Sequence, residues 1–225
     1  MLICFIGIII TIYLMKRSQD GIKKNLQIEQ ELEKNIYIKD DKYTEIDFTE
    51  LRKLNDDTVG YIEIPITNTN YVVVKGNDND FYLKHDFNKK YNILGWIFAD
   101  YRNKVDGTDQ NLVIFGHNIY DGSMFGSLSK LLNEENVKNK NNLIINFITD
   151  QGRKQYKIFS LYTVKPEKYY ITTSFKEDEF EKFKVKLKER SIYKIDANLE
   201  NKNIITLSTC QNHGFKRLAV HAVET

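Results

Sequence analysis

The chain has 225 residues, 41% of them hydrophobic, with 33 basic and 31 acidic side chains for a net charge of +2, and only two cysteines. That is apolar material enough for one sizeable core, and a charge balance too even for a protein built to neutralise a nucleic-acid backbone. The glycine patterns of phosphate-cradling loops and any internal repeat are missing.

Residues 1–17 begin MLICFIGIIITIYLM, apolar apart from Gly7 and Thr11, and end on Lys16 and Arg17. A bilayer span needs about 20 apolar residues, so the run is short. It also lacks the basic start and small-residue cleavage site of a secretory leader. An all-round apolar run at a terminus makes a poor core element, so the expectation is a membrane anchor whose true start lies upstream. Basic residues after the span favour a cytoplasmic location for the rest of the chain, and only a longer basic N-terminus outvotes them.

Residues 18–57 are polar and charged and read as a helical lead-in. Ile22 and Leu26 start one stripe, Ile28 and Leu32 an offset one, and the helix is expected to end near Asn35. A second helix is expected in DFTELRKLN, with Asp47 as cap and Glu50 three residues on.

From residue 58 to 225 the texture is that of a β domain. VGYIEIPI and NYVVV are short β-branched runs. NDNDFYLKHDF reads as a turn with a helical turn inside it. NILGWIFAD and NLVIFGHN read as strands, and SMFGSLSKLL carries apolar residues at helical spacing. NLIINFIT and RKQYKIFSLYTV form a hairpin about DQG. FKEDEFEKFKVKLKER sets Phe180, Phe183 and Leu187 on one helix face, with a solvated charge run elsewhere. NIITLSTC and KRLAVHAVE are the last strands. Seven or eight strands with few helices suit a mainly β barrel or sandwich with helical insertions.

Three residues could carry chemistry. Cys210 ends a strand, and a thiol attacks as thiolate when a base or cation is near. His117 also follows an apolar strand and opens a glycine-rich loop, and imidazole can exchange a proton near neutrality. Arg217, a short turn after Cys210, offers fixed donors to a developing oxyanion. Each also has a bland reading: a small buried hydrophobe, a loop cap and a surface cation. Cys210, His213 and His221 are spaced C-x2-H-x7-H, which matches no strong zinc pattern, and mid-strand His221 reads as a satisfied structural histidine. His85 has no evident partner. Strand alternation allows only one of Lys216 and Arg217 to face Cys210, without saying which.

TLSTC closing a strand, an Arg seven residues on, and GHN followed by DGSMFG resemble a sortase. NDNDFYLKHDF, DYRN, VIFGHNIYDGSMFGSL and the helix before the cysteine strand resemble class B sortases in particular, from about Val59 to the C-terminus. The turn between Cys210 and Arg217 is shorter than in that class. The resemblance implies an eight-stranded β-barrel with N-terminal helices and a helix inserted before the penultimate strand. It implies a cysteine transpeptidase held at the membrane with its catalytic domain outside the cell. Cys210 would attack the carbonyl of Thr in the sorting signal of a surface protein, and His117 would protonate the leaving amine. Arg217, which the family pattern selects over Lys216, would hold the oxyanion, and Ser208 would touch the substrate. A peptidoglycan amine would resolve the thioacyl-enzyme, with no cofactor or metal. A hydrolytic cysteine protease and a non-catalytic ligand-binding β-module are the alternatives.

Overall fold

The computed structural model describes residues 2–39, 43–138, 143–176, 178–210 and 216–225. Helix α1 (Leu2–Leu32) takes in both the apolar run and the first half of the lead-in without a break. At 1.5 Å per residue it is about 46 Å long. Its buried face is Gly21, Asn25, Ile28 and Leu32, one side of the helix at four-, three- and four-residue steps, while Leu26 is exposed. The offset pair is therefore the docking stripe, and half of that stripe is small or polar. Asn25 Nδ2 donates to the Gly95 carbonyl at 3.2 Å, and Asn92 Nδ2 donates to Asn25 Oδ1 at 2.7 Å.

The lead-in is not wholly helical, contrary to expectation. β1 (Ile36–Lys39) and β2 (Tyr43–Ile46) pair antiparallel as a separate two-stranded sheet. Their I-Y-I and Y-T-E-I residues are β-formers that outweigh the short helical pattern around them. Helix α2 (Phe48–Leu54) follows, capped as expected by Asp47, whose carboxylate accepts the Glu50 N–H at 3.0 Å.

Eight strands close a barrel. In chain order they are β3 (Thr58–Ile64), β4 (Thr69–Val74), β5 (Phe98–Ala99), β6 (Asn111–His117), β7 (Ile144–Thr149), β8 (Gly152–Val164), β9 (Ile204–Cys210) and β10 (Arg217–Glu224). Around the barrel they run β10-β8-β7-β3-β4-β5-β6-β9. The β4–β5 and β6–β9 pairs are parallel and the others antiparallel. Helix α4 (Glu179–Glu189) precedes the penultimate strand, as the resemblance implied.

Two elements differ from expectation. NILGWIFAD yields only the two residues of β5, because Gly95 turns the chain at φ +57° and a Cβ there would collide with the Tyr82 carbonyl. Trp96 is nevertheless fully buried and donates from Nε1 to the Val72 carbonyl at 2.8 Å. SMFGSLSKLL forms a 3-10 turn over Gly126–Leu132 rather than an α-helix. There Ser129 Oγ donates to the Gly126 carbonyl at 2.7 Å and competes with the helical ladder. A short α3 (Glu134–Lys138) follows.

The side chains form two cores. The main one fills the barrel, with Ile62, Ile64, Val73, Ile114, Ile205, Leu207 and Val220 among its members. The second joins Phe159, Tyr162, Ala219 and Val223 to Tyr170 and to the Phe180, Phe183 and Leu187 face of α4. It thus coats the outer face of β8–β10. Gly95→Ala should destabilise the protein by about 1–3 kcal/mol through overpacking alone. A urea melt checks this, with the midpoint falling and the slope unchanged.

Candidate functional site

The sheet register decides which chemistry-bearing residues meet. β6 and β9 are paired in parallel over seven positions, from Asn111 with Ile204 to His117 with Cys210. Adjacent strands lie about 4.8 Å apart, so residues 93 apart in sequence become neighbours at the same strand end. On the other side of β9, β10 runs antiparallel with Ala219 opposite Ser208 and His221 opposite Thr206. Carried two residues on, the same register brings Arg217 level with Cys210. Alternation then groups Thr206 and Ser208 with Arg217, Ala219 and His221 on one face. Arg217 is half-buried, whereas Lys216 is exposed and precedes the strand. The Cys210 side chain and the turn 211–215, with His213 in it, lie outside the described residues.

His117 is almost fully buried, and its Nε2–H donates to the Leu83 carbonyl at 2.8 Å. Leu83 ends the 3-10 turn Phe81–Leu83, where a carbonyl lacks a partner within the turn. A carbonyl can only accept, so Nε2 keeps its proton and Nδ1 is the nitrogen that exchanges one. The turn is itself built by Asp78, whose Oδ1 accepts the N–H groups of Asp80 and Phe81, both at 2.8 Å. Those two bonds hold the Asp78 carboxyl below the usual carboxylate range. His85 proves to be part of the same turn: its ring stacks on Phe81 at 4.0 Å and Nδ1–H donates to the Phe81 carbonyl at 2.7 Å.

The loop after His117 is short and tightly closed. Phe125 N–H donates back to the His117 carbonyl at 3.0 Å, and Asn118 bridges Met124. The closure needs Gly126, where a Cβ would strike the Ile119 carbonyl. Gly116 and Gly126 of GHNIYDGSMFG therefore serve close packing around His117, whereas Gly122, at φ +87° with open space about it, serves the turn.

Ser208 has no exposed surface, and its hydroxyl lies 2.9 Å from Tyr170 Oη. Next to it runs a buried polar chain that sequence reasoning missed apart from His221. Thr206 Oγ1 donates to Asn111 Oδ1 at 2.7 Å, so its lone pair accepts the His221 Nδ1–H at 2.9 Å. His221 Nε2 then accepts from Tyr162 Oη at 3.1 Å. Burial, with the Arg190 charge second, pushes the His221 pKa down to about 3, so this histidine is the neutral structural one expected. Asn111 Nδ2 donates onward to the Thr172 carbonyl at 2.8 Å.

The DYRN stretch ties down the same outer segment. Arg102 grips the fully buried Asp100 from Nε at 2.8 Å and Nη2 at 2.6 Å, and Nη2 also reaches the Ile171 carbonyl at 2.9 Å. An Arg two residues after an Asp was the visible signal, but its target 69 residues away was not. Among the described residues no cluster of side chains fit to hold a metal is present.

The chain is similar to known proteins over most of its length. A family model described as the sortase domain matches residues 62–225. Sortase B of Listeria monocytogenes serovar 1/2a is 37% identical over 189 residues, 79% of this chain and 74% of its own length. A crystal structure of sortase B from B. anthracis in complex with AAEK1 aligns with TM-score 0.81 and 32% identity, covering 91% of this chain and 98% of that one. A Staphylococcus aureus sortase B–substrate complex aligns with TM-score 0.74 and 33% identity, covering 79% and 84%.

The His221 network makes a stability prediction. In the unfolded chain the ring titrates at its ordinary 6.5, and in the fold at about 3. The unfolded state therefore binds more protons between those values, and stability attributable to His221 is lost as pH falls from 6.5 toward 3. Denaturant melts at pH 7 and 5 should show the loss, and it should shrink in His221→Gln.

Proposed function

The chain belongs to the sortase family, cysteine transpeptidases of the cell surface, and on that premise we propose its reaction and the role of each residue. The substrate is the sorting signal of a surface protein, cut after Thr, and the acceptor is a peptidoglycan amine. The observation that supports the reading is the parallel register in which His117 is paired with Cys210, with the β10 register, Ala219 opposite Ser208, as the basis for extending the strand to Arg217.

In this reading His117 Nδ1 takes the Cys210 thiol proton while Nε2–H stays on the Leu83 carbonyl. The thiolate adds to the Thr carbonyl, and the negative charge formed on oxygen is met by the Arg217 guanidinium. Collapse of that intermediate breaks the C–N bond, and imidazolium Nδ1–H protonates the departing amine. The incoming amine then adds to the thioester and gives His117 its proton. Thiolate leaves, and a new amide is released. Ser208 was expected to touch the peptide. Its burial instead favours a role through Tyr170, whose segment (Tyr169–Ile171) is also held by Arg102.

The apolar first half of α1 exposes Phe5, Ile6, Ile8, Ile9, Ile10 and Ile12. Among the described residues no helix is long and apolar enough to cross a membrane. We read residues 1–17 as a membrane-associating segment, 18–57 as its lead-in and 58–225 as the catalytic domain, facing outward from the cell.

Kinetics on sorting peptides, with and without added amine, test the reaction. Amine should raise turnover and divert product from acid to amide, and His117→Ala should lose about 10²–10⁴-fold in rate. Product unchanged by saturating amine points instead to a hydrolytic protease. Arg217→Lys should lose about 10²–10³-fold, because a point charge does not replace a planar fork of donors. Lys216→Ala should cost little. A crippled Lys216→Ala beside a healthy Arg217→Lys shows the register argument to be wrong by one residue.

A further inference from the structure

The loop that follows His117 is held from a side that plays no part in the chemistry. Met124, which bridges Asn118, has φ +51°, a backbone region costly for any side chain but glycine. A conformation of that kind persists only where neighbours enforce it. Here the Met124 N–H donates to Tyr71 Oη at 2.8 Å, in a buried bond spanning 53 residues of sequence. Tyr71 stands in β4 with its ring edge-on to Trp96 at 6.1 Å, so the phenol is held rigidly.

A phenol hydroxyl that accepts from Met124 has one proton left to give. Glu29, on the docked half of α1, lines the same cleft as Tyr71, and its carboxylate is a chemically suited acceptor for that proton. Glu29 and Tyr71 line a cleft of 350 Å³ between α1 and the barrel, with Tyr61 and Trp96. Burial pushes the Glu29 pKa up to about 7, and Glu33 and Asp121 add to the rise, while the Tyr71 bond opposes it.

We propose that Tyr71 is a positioning residue for His117, and that Glu29 completes the hydrogen-bond chain by which the N-terminal helix supports the active-site loop. The proposal rests on the reading of His117 as the proton-transfer group. Loss of the Tyr71 hydroxyl leaves the buried Met124 N–H without a partner and frees the loop to relax from its left-handed turn. His117 would then lie off the geometry that proton transfer needs, and a misplacement of about 1 Å can cost on the order of 10²-fold in rate. The proposed mechanism gives Tyr71, Met124 and Glu29 no contact with the peptide, so the loss should fall on kcat and leave KM nearly unchanged.

The test uses the full-length protein and steady-state kinetics on a sorting peptide, with His117→Ala as reference. Tyr71→Phe should lower kcat by about 10- to 100-fold with KM within about twofold of wild type. Glu29→Leu should lower kcat, whereas Glu29→Gln, which keeps an oxygen acceptor for the phenol, should restore it. The double variant Tyr71→Phe/Glu29→Leu should be no worse than Tyr71→Phe alone, because both remove one chain. Tyr71→Phe with kcat within about twofold of wild type, or a change confined to KM, overturns the proposal while an inactive His117→Ala leaves the His117 reading standing. An active His117→Ala fails that reading instead. Should Tyr71→Phe fail to fold, the half-buried helix position decides: equal kcat for Glu29→Leu and Glu29→Gln overturns the proposal.

Discussion

The parallel pairing of β6 with β9 is the constraint on which the site depends. Parallel neighbours cannot be joined by a tight turn, and here 86 residues lie between the end of one strand at His117 and the start of the next at Ile204. The intervening chain supplies the β7–β8 hairpin and α4. Because side chains alternate with period two, a slip of one residue would turn the slipped strand's side chains to the opposite faces and break the pairing of His117 with Cys210. The register is protected by burial on both sides: every residue of β6 is buried, Ile205 and Leu207 face the barrel, and Thr206 and Ser208 face the outer core. Slippage would put hydroxyls into the apolar barrel and isoleucines against the polar chain.

That polar chain makes the outer core more than packing. Tyr162, His221, Thr206 and Asn111 are satisfied in series across four strands, and the series ends on the Thr172 carbonyl of the segment leading into α4. Apolar contact would hold this segment without fixing its position along the sheet, whereas directional bonds to backbone carbonyls do fix it. Arg102 adds a charged grip at Ile171, one residue before. Lys184 of α4 does the same for the segment between α4 and β9: fully buried, it donates to the Leu199 and Lys202 carbonyls and pairs with Glu181 at 2.7 Å. The charge run on α4 is thus a solvated face except at this one residue.

Local signals account for what was legible in the chain. β3, β4, β6, β9 and β10 announce themselves as β-branched runs, the β7–β8 hairpin by its DQG turn, α2 by Asp47, and the inner face of α4 by Phe180, Phe183 and Leu187. What stayed hidden depends on partners distant in sequence. NILGWIFAD looks like a strand, but its hydrophobicity serves burial of Trp96 and Ile97 in a turn pinned by Gly95. The docking face of α1 was obscured because Gly21 and Asn25 contribute close approach and hydrogen bonds rather than apolar area. At the site, residue type and strand-end position singled out Cys210, His117 and Arg217. The Leu83 carbonyl left no mark, since backbone acceptors carry no sequence signature, and Tyr71 looked like one more β-former.

The order of the strands around the barrel also governs how the fold can be reached. β10 lies between β8 and β9, yet it is the last of the eight in chain order. Until residues 217–224 arrive, β8 and β9 each present an unpaired edge, and the remaining seven strands form an open sheet instead of a cylinder. Ring closure joins β10 to β8 across 53 to 68 residues, less remote than the 93 between β6 and β9 but still a non-local step of the kind that slows acquisition of the native state. The strand that completes the cylinder also carries Arg217. A chain only partly assembled can pair the His117 and Cys210 positions, but the proposed oxyanion partner arrives only with the strand that closes the ring.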